Sequence, residues 1–361
     1  MMGLLSELRS NLRRTRASIA RLAARRHHNS YVAETKSFPA ELQRSNLASA
    51  RKSYLAMGLV NDFSYYRDFV AKLLALEDFA IVPLKSLFTP SGTARQLSLR
   101  YDVDVDPIAA IRIAQYNARF GFCGSVFLLH TAGYYGQMAG PGFSRNATLR
   151  EWVQALIVAG CEIGLHIDPF GLYTQFRTDG AEGVETELAW LRSLGAKIEG
   201  TVAHNSFPTY GAENFEIFRE RRIWRRSSLT TGDGIVLPLG VLSEAALDLT
   251  YEGNYARPVS SGPSPALDRW VSSTRPDSAQ SPDWMKLYLA ENPYCRFGPD
   301  VVVWLVRRGE WCLARPGDGV FLWKLTLDEL FRNLASLPEG SRVSVVLHPI
   351  FFCGGVELHA S

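Results

Sequence analysis

The sequence predicts an α/β protein with a largely parallel sheet. Short apolar strands alternate with helical stretches from residue 97 onward. The first of these strands runs straight into a helix at Asp106-Pro107, an N-cap followed by proline at the first helical position. Of the 361 residues, 47% are apolar, which fills the core of one large domain with appendages.

Residues 1–30 read as a basic amphipathic helix or tail. Leu5, Leu8, Leu12, Ile19 and Leu22 fall along one side of a predicted helix over 3–26, and seven arginines cover much of the remainder. Such a helix suits an anionic membrane surface or a partner; a solvated basic tail and an Arg-rich targeting peptide are the other readings. Residues 31–95 lead into the main domain, 96–361. The spacing of Phe63, Tyr66, Phe69, Val70 and Leu73 predicts a helix from Asn61 to about Leu76 that packs on that domain, followed by a short strand near 79–83.

Alternation over Leu97–Asp104 puts Leu97, Leu99, Tyr101 and Val103 on one strand face and Arg100, Asp102 and Asp104 on the other. The following helix, with Ile108, Ala109, Ile111, Ala114 and Tyr116, continues to about Phe120. Further strands are predicted at Gly124–His130, Cys161–His166, Ile198–His204, Val301–Val306 and Arg342–His348. Helices are predicted from a capping box at Thr148–Glu151, over Ala181–Leu194 and Asn214–Glu220, and from a second capping box at Thr326–Glu329. The Pro-, Ser- and Gly-rich stretch 255–283 reads as a long loop or insertion.

The formal charge of +3 is concentrated in residues 1–30, leaving the rest near −3, so the body is no nucleic-acid binder by charge. Five widely spaced cysteines suggest neither a disulfide framework nor a Cys-type zinc site, and a reducing compartment fits best. No apolar run approaches the length of a membrane span, and the N-terminus has no uninterrupted apolar core of the secretory kind. The expected location is cytoplasmic, with peripheral contact at the inner face of a membrane through residues 1–30.

The chemistry gathers at strand ends. Two carboxylates close together raise one another's pKa unless a cation or arginine offsets them, so Asp102 and Asp104 point to a metal site. The bland alternative is that Asp104 and Asp106 cap the helix while Asp102 pairs with Arg100. His166, His204 and His348 each close a predicted strand, with Asp168 two residues beyond His166, and parallel strands would converge them on Asp104. Imidazole and carboxylate are ligands that zinc, cobalt, nickel or ferrous iron accept.

From about Leu97 to Phe352 the chain resembles the polysaccharide deacetylase superfamily, the NodB-homology deacetylases, and in particular the branch whose first motif reads Arg-x-Asp-Val-Asp. Arg100-Tyr101-Asp102-Val103-Asp104 is similar to its first motif, Cys161-Glu162-Ile163-Gly164-Leu165-His166 to its second and Val346-Leu347-His348-Pro349 to its last. The resemblance implies a distorted, incomplete (β/α) barrel with an N-terminal helical extension. It also implies metal-assisted removal of an acetyl group, N-acetyl before O-acetyl, from a sugar in glycan or polysaccharide biosynthesis. Carried over by motif position, Asp102 is the general base, Asp104 and His166 are metal ligands and His348 is the general acid. The implied cofactor is one divalent metal ion, zinc first, then cobalt, nickel, manganese or iron.

Two departures stand out. Phe170 occupies the position of a second-motif histidine, so the third ligand passes to His204, with Asp168 as the alternative. The family's arginine-proline motif is not recognisable, and Arg100 takes over the orientation of Asp102. The expected partner is an acetylated sugar on a nucleotide-linked or lipid-linked precursor. Phe207 and Tyr210 are candidate substrate contacts, and Trp304, Trp311 and Trp323 are further stacking candidates or core. Two other readings of the same residues are a catalytically inactive deacetylase-like scaffold and a metal-independent glycoside hydrolase using Asp102 and Asp168.

Overall fold

The computed structural model describes residues 15–16, 18–22, 33–34, 40–88, 93–139, 142–204, 206, 210–222, 226–254, 299–315 and 320–355. Phe207 and the 255–283 insertion lie outside them. Among the described residues the principal sheet has ten strands. These are β1 (Phe79–Ile81), β2 (Arg95–Val103), β3 (Ser125–Leu129), β4 (Glu162–Ile167), β5 (Gly200–Ala203), β6 (Tyr251–Glu252), β7 (Val301–Arg307), β8 (Glu310–Arg315), β9 (Val320–Leu325) and β10 (Arg342–Leu347). The helices used below are α1 (Ala40–Ala56), α2 (Phe63–Leu74), α3 (Pro107–Ala118), α4 (Leu149–Val158), α5 (Gly180–Ser193) and α6 (Leu327–Ala335).

The sheet order is β6-β5-β4-β3-β2-β10-β7-β8-β9, with β1 also paired to β2. Every pairing from β6 to β7 is parallel, and β8 alone runs against the rest. Outward from β2 the strands follow in chain order, while the last strand, β10, returns to the other side of β2. Strands β7 to β10 thus all lie on the flank opposite β3 to β6. The sheet is open, because among the described residues no strand pairs β6 with β9.

β2 is buried along both faces because it lies at the centre. β10 covers one edge over residues 96–101; β1 at 95–97 and β3 at 100–103 share the other in tandem. Leu97, Leu99, Tyr101 and Val103 face the large core, where they meet Phe69 of α2, Ile113 of α3, Leu156 of α4 and Leu188 of α5. The opposite face carries a smaller apolar cluster of Phe127, Val202 and Tyr251, filled from a 3₁₀ turn by Leu84 and Leu87. Glycine makes room for those rings. A Cβ on Gly164 would lie 2.3 Å from the Phe127 ring, and one on Gly200 only 2.1 Å from the Tyr251 ring.

The lead-in is fastened by polar as well as apolar contacts. Tyr66 of α2 shares a 2.6 Å hydrogen bond with Tyr101 of β2, and both reach the Asn117 side chain. Trp311 is fully buried, stacks on Phe69 and donates to Tyr65, so it is core rather than a stacking platform for a ligand.

The local signals are realised unevenly. Asp106 caps α3 by accepting from Ala109 N, Pro107 stands at its start, and Arg51 of α1 donates to the Asp106 carboxylate at 2.7 Å. The Thr326–Glu329 capping box forms and opens α6. The Thr148–Glu151 box does not: Thr148 makes no side-chain cap, because Asn146 Oδ1 accepts from its N–H and its hydroxyl instead. The helix expected over Asn214–Glu220 is two 3₁₀ turns, Asn214–Ile217 and Arg219–Arg221.

Of the basic helix expected over 3–26, only residues 15–16 and 18–22 are described, and they are helical. Arg21 lies against α5, 2.9 Å from Glu185 and 3.7 Å from Asp179, while Ile19 and Leu22 are exposed. Among the described residues no helix is long and apolar enough to cross a membrane.

Candidate metal centre

The carboxyl ends of β2, β4, β5 and β10 bring Asp104, His166, His204 and His348 together. Parallel pairing puts these ends at one rim of the sheet. One ligand atom from each of Asp104, His166 and His204 lies within 4.8 Å of the others, so the triad can hold a metal ion. His348 stands beside it, with Nε2 3.3 Å from Asp104 Oδ2. His166 is almost fully buried, whereas Asp104, His348 and His204 retain 21%, 30% and 38% of their side-chain exposure, leaving the centre accessible from one side.

The hydrogen bonding around His166 fits a cation. Its Nδ1 lies 2.8 Å from Val202 O and donates to it, which leaves Nε2 as a lone pair in the neutral ring. That lone pair faces Asp104 Oδ1 at 3.3 Å. Two acceptors at this distance need a proton or a metal ion, and Oδ1 is buried without a conventional hydrogen-bond donor.

Asp102 sits one residue before the end of β2 and is held by Arg100 from the same strand face, with Nε–Oδ1 at 2.8 Å and Nη2–Oδ2 at 2.5 Å. Arg100 Nη1 also donates to Gly253 O, tying the pair to the end of β6. Burial pushes the Asp102 carboxyl upward, but Arg100, then His166, outweigh it and hold the group below the usual range. Asp104 behaves alike: burial opposes its charge, yet His348 and His166 hold it well below the usual range.

The histidines divide. Burial disfavours charge on His166 and His348, but the neighbouring carboxylates, Asp102 first for His166 and Asp104 first for His348, raise both. His204 is lowered by burial and by His166. The carboxylates thus favour the charged form of His166 and His348, and burial the neutral form of His204.

Asp168, the alternative ligand, is otherwise engaged. Its Oδ1 accepts from Gly171 N and Asn214 Nδ2, its Oδ2 accepts from Thr131 Oγ1, and Oδ2 lies 3.8 Å from His204 Nδ1. This carboxylate is a brace behind His204. Tyr210 packs edge-on against Phe170, its hydroxyl bonded to Thr174. Together Tyr210, Thr174, Gln175 and Thr230–Asp233 line a cavity of about 460 Å³.

Sequence reasoning missed three supporting groups. His130 follows β3, is fully buried, and its Nε2 accepts from Asp168 N at 2.7 Å; burial, aided by His166, lowers it to about 3, so it is neutral. Its position at a strand end was the available signal. Thr131 and Asn214 carried none, since their roles arise only once three chain segments meet at Asp168.

No family model, curated protein or solved structure matches the chain.

Proposed function

We propose that the chain is a metal-dependent hydrolase that removes an acetyl group, N-acetyl first, from a sugar during glycan assembly. The observation that carries this reading is the convergence of Asp104, His166 and His204 beside an Arg100-held Asp102, with His348 3.3 Å from Asp104. The parallel pairing of β2 with β10 on one side and β3 to β6 on the other, with the apolar plug on the Asp102 face, supports the incomplete-barrel architecture of the deacetylases.

Asp104, His166 and His204 would hold the ion, zinc first for a carboxylate and two imidazoles. When bound, it supplies Lewis acidity toward the acetyl carbonyl and toward water. Asp102 is ionised at neutral pH, and the Arg100 fork fixes its oxygens for accepting a proton from the attacking water. His348, whose charged form is favoured by Asp104 at 3.3 Å from its Nε2, would give a proton to the departing amine. Val202 O fixes the His166 imidazole, and the Asp168 carboxylate lies 3.8 Å behind that of His204.

The cavity beside Tyr210 is lined by hydroxyl, amide and carboxylate groups but by none of the metal-centre residues, so the substrate class rests on the motif resemblance. A nucleotide-linked or lipid-linked precursor fits the cytoplasmic setting expected from cysteine usage. A glycoside hydrolase is disfavoured, because Asp168 braces His204 instead of facing a substrate opposite Asp102.

The test is elemental analysis of the purified chain with Asp104→Ala, His166→Ala and His204→Ala alongside, followed by acetate release from an acetylated-sugar panel. Near-stoichiometric metal in wild type, lost in each folded variant together with acetate release, is expected. Folded wild type that takes up no zinc, cobalt or iron would overturn the reading in favour of an inactive scaffold.

A further inference from the structure

The five cysteines are far apart in sequence, yet the fold brings two together. Cys123 lies two residues before β3 and Cys161 one residue before β4, and these neighbouring strands pair Ser125 with Glu162. Their entry points are therefore adjacent, at the end of the sheet opposite Asp104, His166 and His204. Cys123 Sγ points to the Ala159 carbonyl, and a Cβ on Gly160 would lie 3.7 Å from that sulfur. The Cys123 thiol thus overlies the two residues that lead into Cys161.

Both thiols are free and partly exposed, whereas Cys312 and Cys353 are buried. The pair is also chemically unequal. A hydrogen bond from Cys161 brings Cys123 down to about 7 against the opposing effect of burial, while the same contact and burial push Cys161 upward. Cys123 is thereby the more acidic of the two thiols and Cys161 the less acidic.

We infer that Cys123 and Cys161 form a thiol–disulfide exchange site, with Cys123 attacking, Cys161 resolving and a small-molecule disulfide such as oxidised glutathione as co-reactant. The Cys123 thiolate attacks one sulfur of the disulfide; a Cys123–glutathione bond forms and one glutathione thiolate leaves, taking a proton from solvent. Cys161 then loses its proton to solvent and attacks the Cys123 sulfur, the Cys123–Cys161 bond forms, and the second glutathione leaves as thiol. In sum the two protein thiols lose two protons and two electrons, and one disulfide is reduced to two thiols. The loop so closed contains His130 and Thr131, the groups that hold Asp168 behind His204.

The test is incubation of the full-length reduced chain with oxidised glutathione, read by intact mass, thiol titration and peptide mapping without reductant. Wild type is expected to lose two hydrogens and two titratable thiols, with a Cys123–Cys161 cross-linked peptide. Cys161→Ser is expected to stop at a stable glutathione adduct on Cys123, and Cys123→Ser to react at least roughly tenfold more slowly. Wild type that keeps all its thiols, that retains a stable glutathione adduct, or that links any other pair would overturn the assignment.

Discussion

His166 Nε2 faces Asp104 Oδ1 at 3.3 Å while the other His166 nitrogen is committed to the Val202 carbonyl. A metal ion and a proton therefore compete for one position. Since the carboxylates raise His166 above the ordinary histidine value of about 6.5, that competition extends above pH 6.5. Zinc affinity is expected to increase as pH rises from 6 to 8, with proton release on binding. Calorimetric titration in buffers of different ionisation enthalpy checks this, and an affinity independent of pH would contradict it.

Asp102 and Arg100 are both buried and make two hydrogen bonds to each other. In Asp102→Ala the guanidinium loses its counter-charge, with an expected cost of about 3–5 kcal/mol in denaturant unfolding. Asp102→Asn keeps the shape and spares the three proposed ligands, so metal content should stay near wild type. Acetate release should fall roughly 10²–10⁴-fold through loss of the base. Loss of metal from Asp102→Asn would place Asp102 among the ligands.

Glu252 gives a pH signature distinct from the metal centre's. It accepts from Ala203 N and Asn254 N, yet burial raises its carboxyl to about 7 from an ordinary value of 4.5. The folded state binds this proton more tightly than the unfolded chain does. The stability it contributes is fully present below pH 4.5 and is lost as pH rises through 7. Between pH 4.5 and 8 the metal-free protein should lose about 3 kcal/mol through this group. Glu252→Gln should flatten that part of the profile, and an unchanged slope in urea melts at pH 5, 6.5 and 8 would refute it.

The inner rings need bare backbone beneath them. Gly200→Ala puts a methyl against the Tyr251 ring, with an expected loss of about 1–3 kcal/mol. Tyr251→Ala alone should cost about 3–5 kcal/mol. In the double variant the methyl meets no ring, so the two losses should fall short of additivity by 1 kcal/mol or more, roughly the range for residues in contact. Strict additivity in a thermal or urea cycle would mean that the ring moves aside freely.

Much of the centre was legible because each functional side chain occupies a strand end, and strand ends announce themselves locally. The alternation through Leu97–Asp104 located β2, and the apolar runs before His166, His204 and His348 located three more ends. What failed was decided by neighbours distant in sequence. Asn146 accepts from the Thr148 N–H, the donor that the Glu151 side chain would have taken in a capping box, and from its hydroxyl, and 214–220 forms two short turns where Asn214 bonds Asp168 and His204. Asp168 itself reads equally as ligand or brace until Gly171, Thr131 and Asn214 are seen to occupy its oxygens. The Cys123 and Cys161 contact is likewise a product of register between two strands.

The return of β10 to the side of β2 also orders events in time. On the ribosome, β2 emerges with Asp102 and Asp104, and the strands β3, β4, β5 and β6 add to one flank as they are made. The other flank stays bare until residues 342–347 have left the exit tunnel, since β7 reaches β2 only through β10. Until then a nascent chain displays a long unsatisfied strand edge beside Asp102 and Asp104, an edge that invites chaperone capture or misassociation. His348, which immediately follows β10, arrives at Asp104 in the same step that covers that edge.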